Sequence, residues 1–406
     1  MRVPASKSVA NRELILSALA EGRSVLDLGP FDPGADVRAM REAIGALGYR
    51  LEWDGRQATI EGAGGAPPAV DASIDAADAG TVARFLTALA AVGRGRVTID
   101  GSERLRLRPL TPLLAALRTL GATVENDALP ITVSGPLAGG AVEISGAESS
   151  QFASALLLVG TAMPEGLHLR ISGTLVSAPF VSLTVQALRE RGVEVEHPGP
   201  GEFRIRPQRV RARRISIPGD ATAATYPAAA AAILGGRVTI EEVDAARADG
   251  GQGDVRFFDL LEEMGCTVDR RGGRVTVSRA GTLHGIVTNV RDCSDVFPTL
   301  AAIAACAESP TELAGIGHTR KQESDRIAAV ASALRAVGAR ATEFADTIRI
   351  HPAPMHGGTV DAAGDHRIAM AFSILGLHVP GVAIEGSESV AKTFPGFYDM
   401  VRELAG

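Results

Sequence analysis

The sequence predicts an α/β protein of two domains, each assembled from three copies of one small αβαβ unit. Three observations predict it. The 406 residues exceed what a single hydrophobic core usually serves. One segment shape recurs six times, starting at residues 6, 78, 148, 219, 292 and 363. Helical and strand-like apolar periods also alternate along the whole chain.

Each recurring segment runs from a small polar cluster through an Ala/Leu-rich helix and a Gly or Pro break to a β-rich run. In chain order they are "SKSVANRELILSALAEGRSVL", "DAGTVARFLTALAAVGRGRVTI", "ESSQFASALLLVGTAMPEGLHLRI", "GDATAATYPAAAAAILGGRVTI", "DCSDVFPTLAAIAACAESPTEL" and "AGDHRIAMAFSILGLHVPGVAI". Between them lies a second unit, an amphipathic helix stopped by glycine and followed by a strand: "MREAIGALGYRLEW", "LLAALRTLGATVEN", "LTVQALRERGVEVEH", "FFDLLEEMGCTVDR" and "AVASALRAVGARATEF". The glycine supplies the left-handed residue that ends a helix, and the alternating apolar run behind it reads as a strand. Three copies fill residues 6–217 and three fill 218–406, the second domain being completed by residues 1–5.

Composition narrows the function. The net charge of −6 and pI near 5.8 argue against a nucleic-acid binder. The chain carries 46% hydrophobic but only 4% aromatic residues, so its cores are aliphatic. The cysteines, Cys266, Cys293 and Cys306, are odd in number and lack CxxC spacing, which points to a reduced, cytoplasmic protein without structural zinc. No apolar run is long enough to span a bilayer, and no signal peptide is visible.

An anion site in an acidic protein needs a local gathering of positive charge. Helix N-termini offer unpaired N–H groups and a positive dipole end, and the six polar clusters each precede a helix. Ordinary capping accounts for any one cluster. The set is different, because cationic side chains accompany several of them. Of 41 Lys+Arg only Lys7, Lys321 and Lys392 are lysines, so each is a candidate for a site that needs a compact ammonium rather than a planar fork. In "SKSVANR", Ser8 and Arg12 share a helix face, with Lys7 at its mouth. In "ERLRLRPL", Arg104, Arg106 and Arg108 alternate with leucine, and an extended segment places them on one face. Glu323 and Arg326 are three apart at the start of a helix. In "GDHRIAM", Asp365 is a helix cap, while His366 and Arg367 oppose the dipole unless an anion binds there.

Together these segments resemble the 5-enolpyruvylshikimate-3-phosphate synthase (3-phosphoshikimate 1-carboxyvinyltransferase) family. "SKSVANR", "DAGTVAR", "LRLRP", "SSQF", "GDATAA", "QGDVRF", "QESDR", "GDHRIAM" and "AKTFP" match its landmarks in order over essentially the whole chain. The resemblance implies a two-domain inside-out α/β barrel with three βαβαββ repeats per domain. It also implies transfer of the enolpyruvyl group of phosphoenolpyruvate to the 5-hydroxyl of shikimate 3-phosphate, with release of phosphate and with no metal or organic cofactor. Carried over by position, Asp295, Glu323 and Lys7 are catalytic. Shikimate 3-phosphate falls to Lys7, Ser8, Arg12, Ser149, Ser150, Gln151, Ser177, Asp295, His318 and Gln322. Phosphoenolpyruvate falls to Lys7, Gly80, Arg108, Gln151, Arg326, Arg367 and Lys392, with Arg84 among the matching cations. The implied partners are these two small molecules, with no nucleic acid, no membrane and a monomeric chain.

The sequence departs from the family pattern at four places. Asp78 stands where asparagine is usual, and Phe180 replaces a frequent tyrosine. "GHTRKQESDR" has His318 for a common asparagine and Gln322 for a usual cation, with Lys321 one place earlier; an irregular loop there brings Lys321 to the acceptor. The chain also opens almost at the first motif, so the family's opening strand is expected to be truncated. Two rival readings stand beside the main one: an enolpyruvyl transferase with a nucleotide or modified-sugar acceptor, and a non-catalytic phosphometabolite binder. The family of UDP-N-acetylglucosamine enolpyruvyl transferases carries a loop cysteine in its N-terminal half, whereas the first cysteine here is Cys266. A binder needs no proton-transfer pair, whereas this chain holds both Asp295 and Glu323.

Overall fold

The computed structural model describes residues 1–68, 70–243 and 251–405. The chain forms two compact units, Ala5–Ile217 and Met1–Pro4 with Pro218–Gly406. Each unit has its own hydrophobic core.

In the Ala5–Ile217 unit, three helices lie inside: Lys7–Leu19, Gly80–Val92 and Ser150–Val159. Every residue of Gly80–Val92 is buried. A helix apolar on all sides has to be covered all round, and here the other two inner helices, outer helices and one sheet do this, each inner helix packing on a different one of three sheets. One sheet sets Glu21–Asp27 between the parallel strand Arg214–Ser216 and the antiparallel strand Gln57–Ala63, with Arg50–Trp53 outermost. A second orders Ala72–Asp75, Val97–Asp100, Ile131–Ser134 and Thr123–Glu125. Its register pairs Ile74 with Ile99 and Val97 with Val133, so buried side chains stack on one face. The third orders Glu202–Ile205, Leu167–Ser172 and Gly140–Ser145.

The other unit repeats the plan around Ala221–Leu234, Phe297–Ala304 and His366–Gly376. Alanine dominates the first of these, and residues 221–233 are all buried. Small side chains keep backbones close where this helix meets the other two inner helices and the strands Gly236–Glu241 and Arg274–Arg279. Its sheets contain the strands Gly236–Glu241, Arg274–Arg279 and Thr267–Arg271; then Val287–Asn289, Thr311–Ala314, Thr347–His351 and Arg340–Glu343; and finally Thr359–Asp361 with Ala383–Glu385. The chain start joins this unit: the Met1 amino group donates to Thr239 O at 2.7 Å, and Arg2 forms a parallel bridge with Glu241.

The outer amphipathic helices end as their glycines require. Gly48 follows Ala35–Ala46 at φ 88°, and Gly338 follows Arg326–Ala336 at φ 85°, a conformation other residues adopt only with strain.

One local expectation fails. Arg104, Arg106 and Arg108 do not lie on one face of an extended segment, because Glu103–Arg106 is a single helical turn. Ser102 caps it, its Oγ accepting from Leu105 N at 3.1 Å. Arg106 pairs with Asp100 at 2.6 Å in solvent, whereas Arg108 reaches the "AGT" loop.

Candidate active site

In each unit the three inner helices bring their first turns together. In the Ala5–Ile217 unit, Asn11 Nδ2 donates to Thr81 Oγ1 at 3.0 Å, Arg84 Nη1 to Gln151 Oε1 at 2.7 Å and Arg12 Nη2 to Ser154 Oγ at 3.3 Å. All six residues lie in the first two turns of their helices. Three N-termini therefore gather at one end, with their N–H groups and positive dipole ends.

Arg12 is 1% exposed and has no carboxylate among its partners in the described residues. Its Nε donates to Thr184 Oγ1 at 2.7 Å, Nη1 to Ser8 O at 2.7 Å, and Nη2 also to Phe180 O at 3.0 Å. Phe85 and Phe180 flank the guanidinium at 5.3 and 5.8 Å from ring centroids. Burial lowers its pKa to about 9, yet it stays cationic at neutral pH. A buried charge without a counter-ion is unfavourable, and a bound anion relieves that. Lys7 starts the same helix, and its Nζ lies 3.0 Å from Oδ2 of the buried Asp36.

Gly80 opens the next inner helix. A Cβ there would run into Arg84 Nη1 and sit 2.9 Å from Arg108 Nη2, so the missing side chain lets two arginines close on the loop. Arg84 is held from behind by Pro109 O at 2.9 Å. Beside Asp78, Ser102 Oγ donates to its Oδ1 at 2.9 Å. Ser149 caps the third inner helix by accepting from Gln151 N at 3.2 Å, and Ser150 is buried at its first position. Ser177 is buried at φ 53°, an uncommon conformation for a residue with a side chain.

The Pro218–Gly406 unit carries a second charge cluster. Arg326 is fully buried among three carboxylates: Nε to Asp365 Oδ2 at 2.9 Å, Nη1 to Asp295 Oδ1 at 3.2 Å and Nη2 to Glu323 Oε2 at 2.9 Å. Gln322 Oε1 also accepts from Nη1. Arg367 Nη2 reaches Asp295 Oδ2 at 2.7 Å, and Lys392 Nζ lies 4.0 Å from Glu323 Oε1. Burial works against both arginine charges, but the surrounding carboxylates outweigh it and raise both pKa values. His318 Nε2 lies 2.9 Å from Ser294 Oγ; burial pushes its pKa down, so the ring is neutral at pH 7.

Glu323 precedes its helix rather than starting it, because Asp325 is the cap and Arg326 the first helical residue. Lys321 ends a short 3₁₀ turn and is exposed, while Gln322 turns inward to Arg326. The expected loop is irregular, yet it does not bring Lys321 inward. Sequence reasoning missed Asp36, which lies 29 residues from its partner Lys7, and the buried Asp254. Nothing local marks Asp36. Asp254 belongs to the "QGDVRF" landmark, where only the motif draws attention to it.

Among the described residues no group of three His, Cys, Asp or Glu side chains is arranged to hold a metal ion, and no helix is long and apolar enough to cross a membrane.

Three inner helices per unit, each packed on its own sheet, with arginines gathered near their starts, define a two-domain α/β protein of the inside-out barrel type. The family model for EPSP synthase (3-phosphoshikimate 1-carboxyvinyltransferase) matches residues 1–401. The chain belongs to this family. It is 39% identical to the 3-phosphoshikimate 1-carboxyvinyltransferase of Methanoculleus marisnigri, over 98% of this chain and 94% of that one. With its namesake in Nostoc punctiforme it shares 36% identity over the same fractions. The solved EPSP synthase from Acinetobacter baumannii superposes with a TM-score of 0.79 at 27% identity, covering 100% of this chain and 95% of the other. The enolpyruvyl transferase NikO from Streptomyces tendae, with a TM-score of 0.75 at 20% identity and coverage of 100% and 94%, shares the fold. These relatives favour the main reading over a different acceptor or a non-catalytic binder.

Proposed function

We propose that this protein transfers the enolpyruvyl group of phosphoenolpyruvate to the 5-hydroxyl of shikimate 3-phosphate, yielding 5-enolpyruvylshikimate 3-phosphate and phosphate in the chorismate pathway. The observation that carries the reading is the Asp295–Arg326–Glu323 constellation, in which two carboxylates suited to proton transfer sit on one buried arginine. Family membership supplies the reaction, and the geometry is consistent with its chemical demands.

In this reading Lys7, Ser8, Arg12, Ser149, Ser150, Gln151 and Ser177 bind shikimate 3-phosphate, as do Asp295, His318 and Gln322. Phosphoenolpyruvate is held by Lys7, Gly80, Arg108 and Gln151, and by Arg326, Arg367 and Lys392. Asp295 accepts the proton of the attacking hydroxyl. Glu323 delivers a proton to the methylene carbon, so the carbon–oxygen bond forms as the double bond becomes a methyl group. The tetrahedral ketal then expels phosphate as one methyl proton returns to a base, restoring the double bond. The residue roles call for no metal or organic cofactor. A cytoplasmic, monomeric enzyme inhibited by glyphosate completes the proposal.

The test is phosphate release from phosphoenolpyruvate with shikimate 3-phosphate as acceptor, compared with a nucleotide and a UDP-sugar. Release dependent on shikimate 3-phosphate alone supports the reading; release with another acceptor, or none, overturns it.

A further inference from the structure

Arg326 and Arg367 are both tied to one side chain. Asp365 is 0% exposed and uses each carboxylate oxygen for a different task. Its Oδ2 accepts from Arg326 Nε at 2.9 Å and from Ser324 Oγ at 3.2 Å. Its Oδ1 accepts from the backbone N–H of Arg367 at 3.0 Å, capping the His366–Gly376 helix. The charged groups around Arg326 differ in their access to water. The side chains of Asp295 and Glu323 are 22% and 10% exposed, whereas that of Asp365 is 0%.

We propose that Asp365 is a positioning residue that pins Arg326 by its Nε, so that the Nη1–Nη2 edge stays turned toward the anionic substrate. The inference rests on the functional reading above and adds a residue to it. A guanidinium offers a carboxylate two parallel N–H donors only if its plane is held. Contacts at Nη1 and Nη2 come from Asp295, Gln322 and Glu323, of which the two carboxylates keep some access to water and can be displaced by an incoming carboxylate or phosphate. The contact at Nε comes from a group that neither water nor ligand reaches. The same carboxylate sets the start of the helix bearing Arg367, so both arginines keep one relative placement.

A carboxylate is required because both oxygens act as acceptors. An amide has one acceptor oxygen and one NH₂ donor. In Asp365→Asn, therefore, either Arg326 Nε or the Arg367 N–H loses its acceptor, although asparagine is a good helix cap.

Asp365→Asn should raise the KM for phosphoenolpyruvate about tenfold or more, the scale of one charge-assisted hydrogen bond, with the KM for shikimate 3-phosphate little changed. Adding Arg326→Ala to it should cost no more than Arg326→Ala alone, since the first acts through the second. Equal movement of both KM values, or additive losses, overturns the proposal. A second measurement needs no variant. In the wild-type protein the Arg326 Nε–H resonance should stay protected from exchange and unshifted when phosphoenolpyruvate is added; loss of protection on binding overturns the proposal. Should the protein fail to turn over the two substrates, the functional reading falls, while Nε protection still reports on the Arg326–Asp365 contact by itself.

Discussion

Asp295 Oδ2 lies 2.7 Å from Arg367 Nη2, while its other oxygen lies 3.2 Å from Arg326. One carboxylate thus occupies two cations assigned to phosphoenolpyruvate. These ion pairs balance the cluster within the protein, so an anion that binds these arginines must take the place of an internal carboxylate.

Asp295→Asn should separate binding from catalysis. Turnover should fall at least about a hundredfold, the scale of acid–base catalysis. Affinity for phosphoenolpyruvate, read by calorimetry, should hold or increase because the competing carboxylate charge is gone. Glu323→Gln should lose turnover on the same scale. Normal turnover in both variants would remove the assigned proton transfers.

The buried Asp254 provides a pH test. Thr222 Oγ1 donates to its Oδ2, and Oδ1 has no hydrogen-bond partner among the described residues. Burial, then the nearby Asp295 charge, raise its pKa to about 7, opposed by Arg367 and the Thr222 hydrogen bond. Between about pH 4 and pH 7 the folded state holds a proton at Asp254 that the unfolded state has released, so this group's stabilisation declines as pH rises through that window. Asp254→Asn removes the decline. Thermal unfolding should show the variant gaining on wild type at pH 8 relative to pH 5, and an equal difference at both values would refute the assignment.

Lys7→Arg should be damaging although it conserves charge. The ammonium sits 3.0 Å from the buried Asp36, where a planar guanidinium needs more room and different donor directions. We expect kcat/KM to drop about tenfold or more, the order of one charged hydrogen bond. Near-normal kinetics would show that the chain's sparing use of lysine carries no meaning at this position.

Gly80→Ala places a methyl group against Arg84 and Arg108. Arg84 is held by both Gln151 and Pro109, so it cannot swing away freely. The KM for phosphoenolpyruvate should rise and inhibition by glyphosate should weaken further, both remaining competitive in initial-rate kinetics. Glyphosate inhibition independent of phosphoenolpyruvate concentration would count against placing both at this loop.

Much of this architecture was legible locally. The six Ala/Leu-rich helices, their glycine-stopped partners and the Asp365 cap each depend on residues within a few positions of one another, and local backbone preference is enough to specify them. The cations were visible because arginine and lysine at helix starts oppose the dipole without an anion. Tertiary structure decided the rest. Alternation in "ERLRLRPL" reads as a strand, but Ser102 and Asp100 hold it as one helical turn and send Arg106 to solvent. Lys7 meets Asp36 and Arg326 meets Asp295 and Asp365 across gaps of 29 to 39 residues, and Val25–Asp27 pairs with Arg214–Ser216 across most of a unit. A residue's charge and helical tendency travel with the chain. Which carboxylate faces which arginine depends on how buried helices pack, and that depends on the whole core at once.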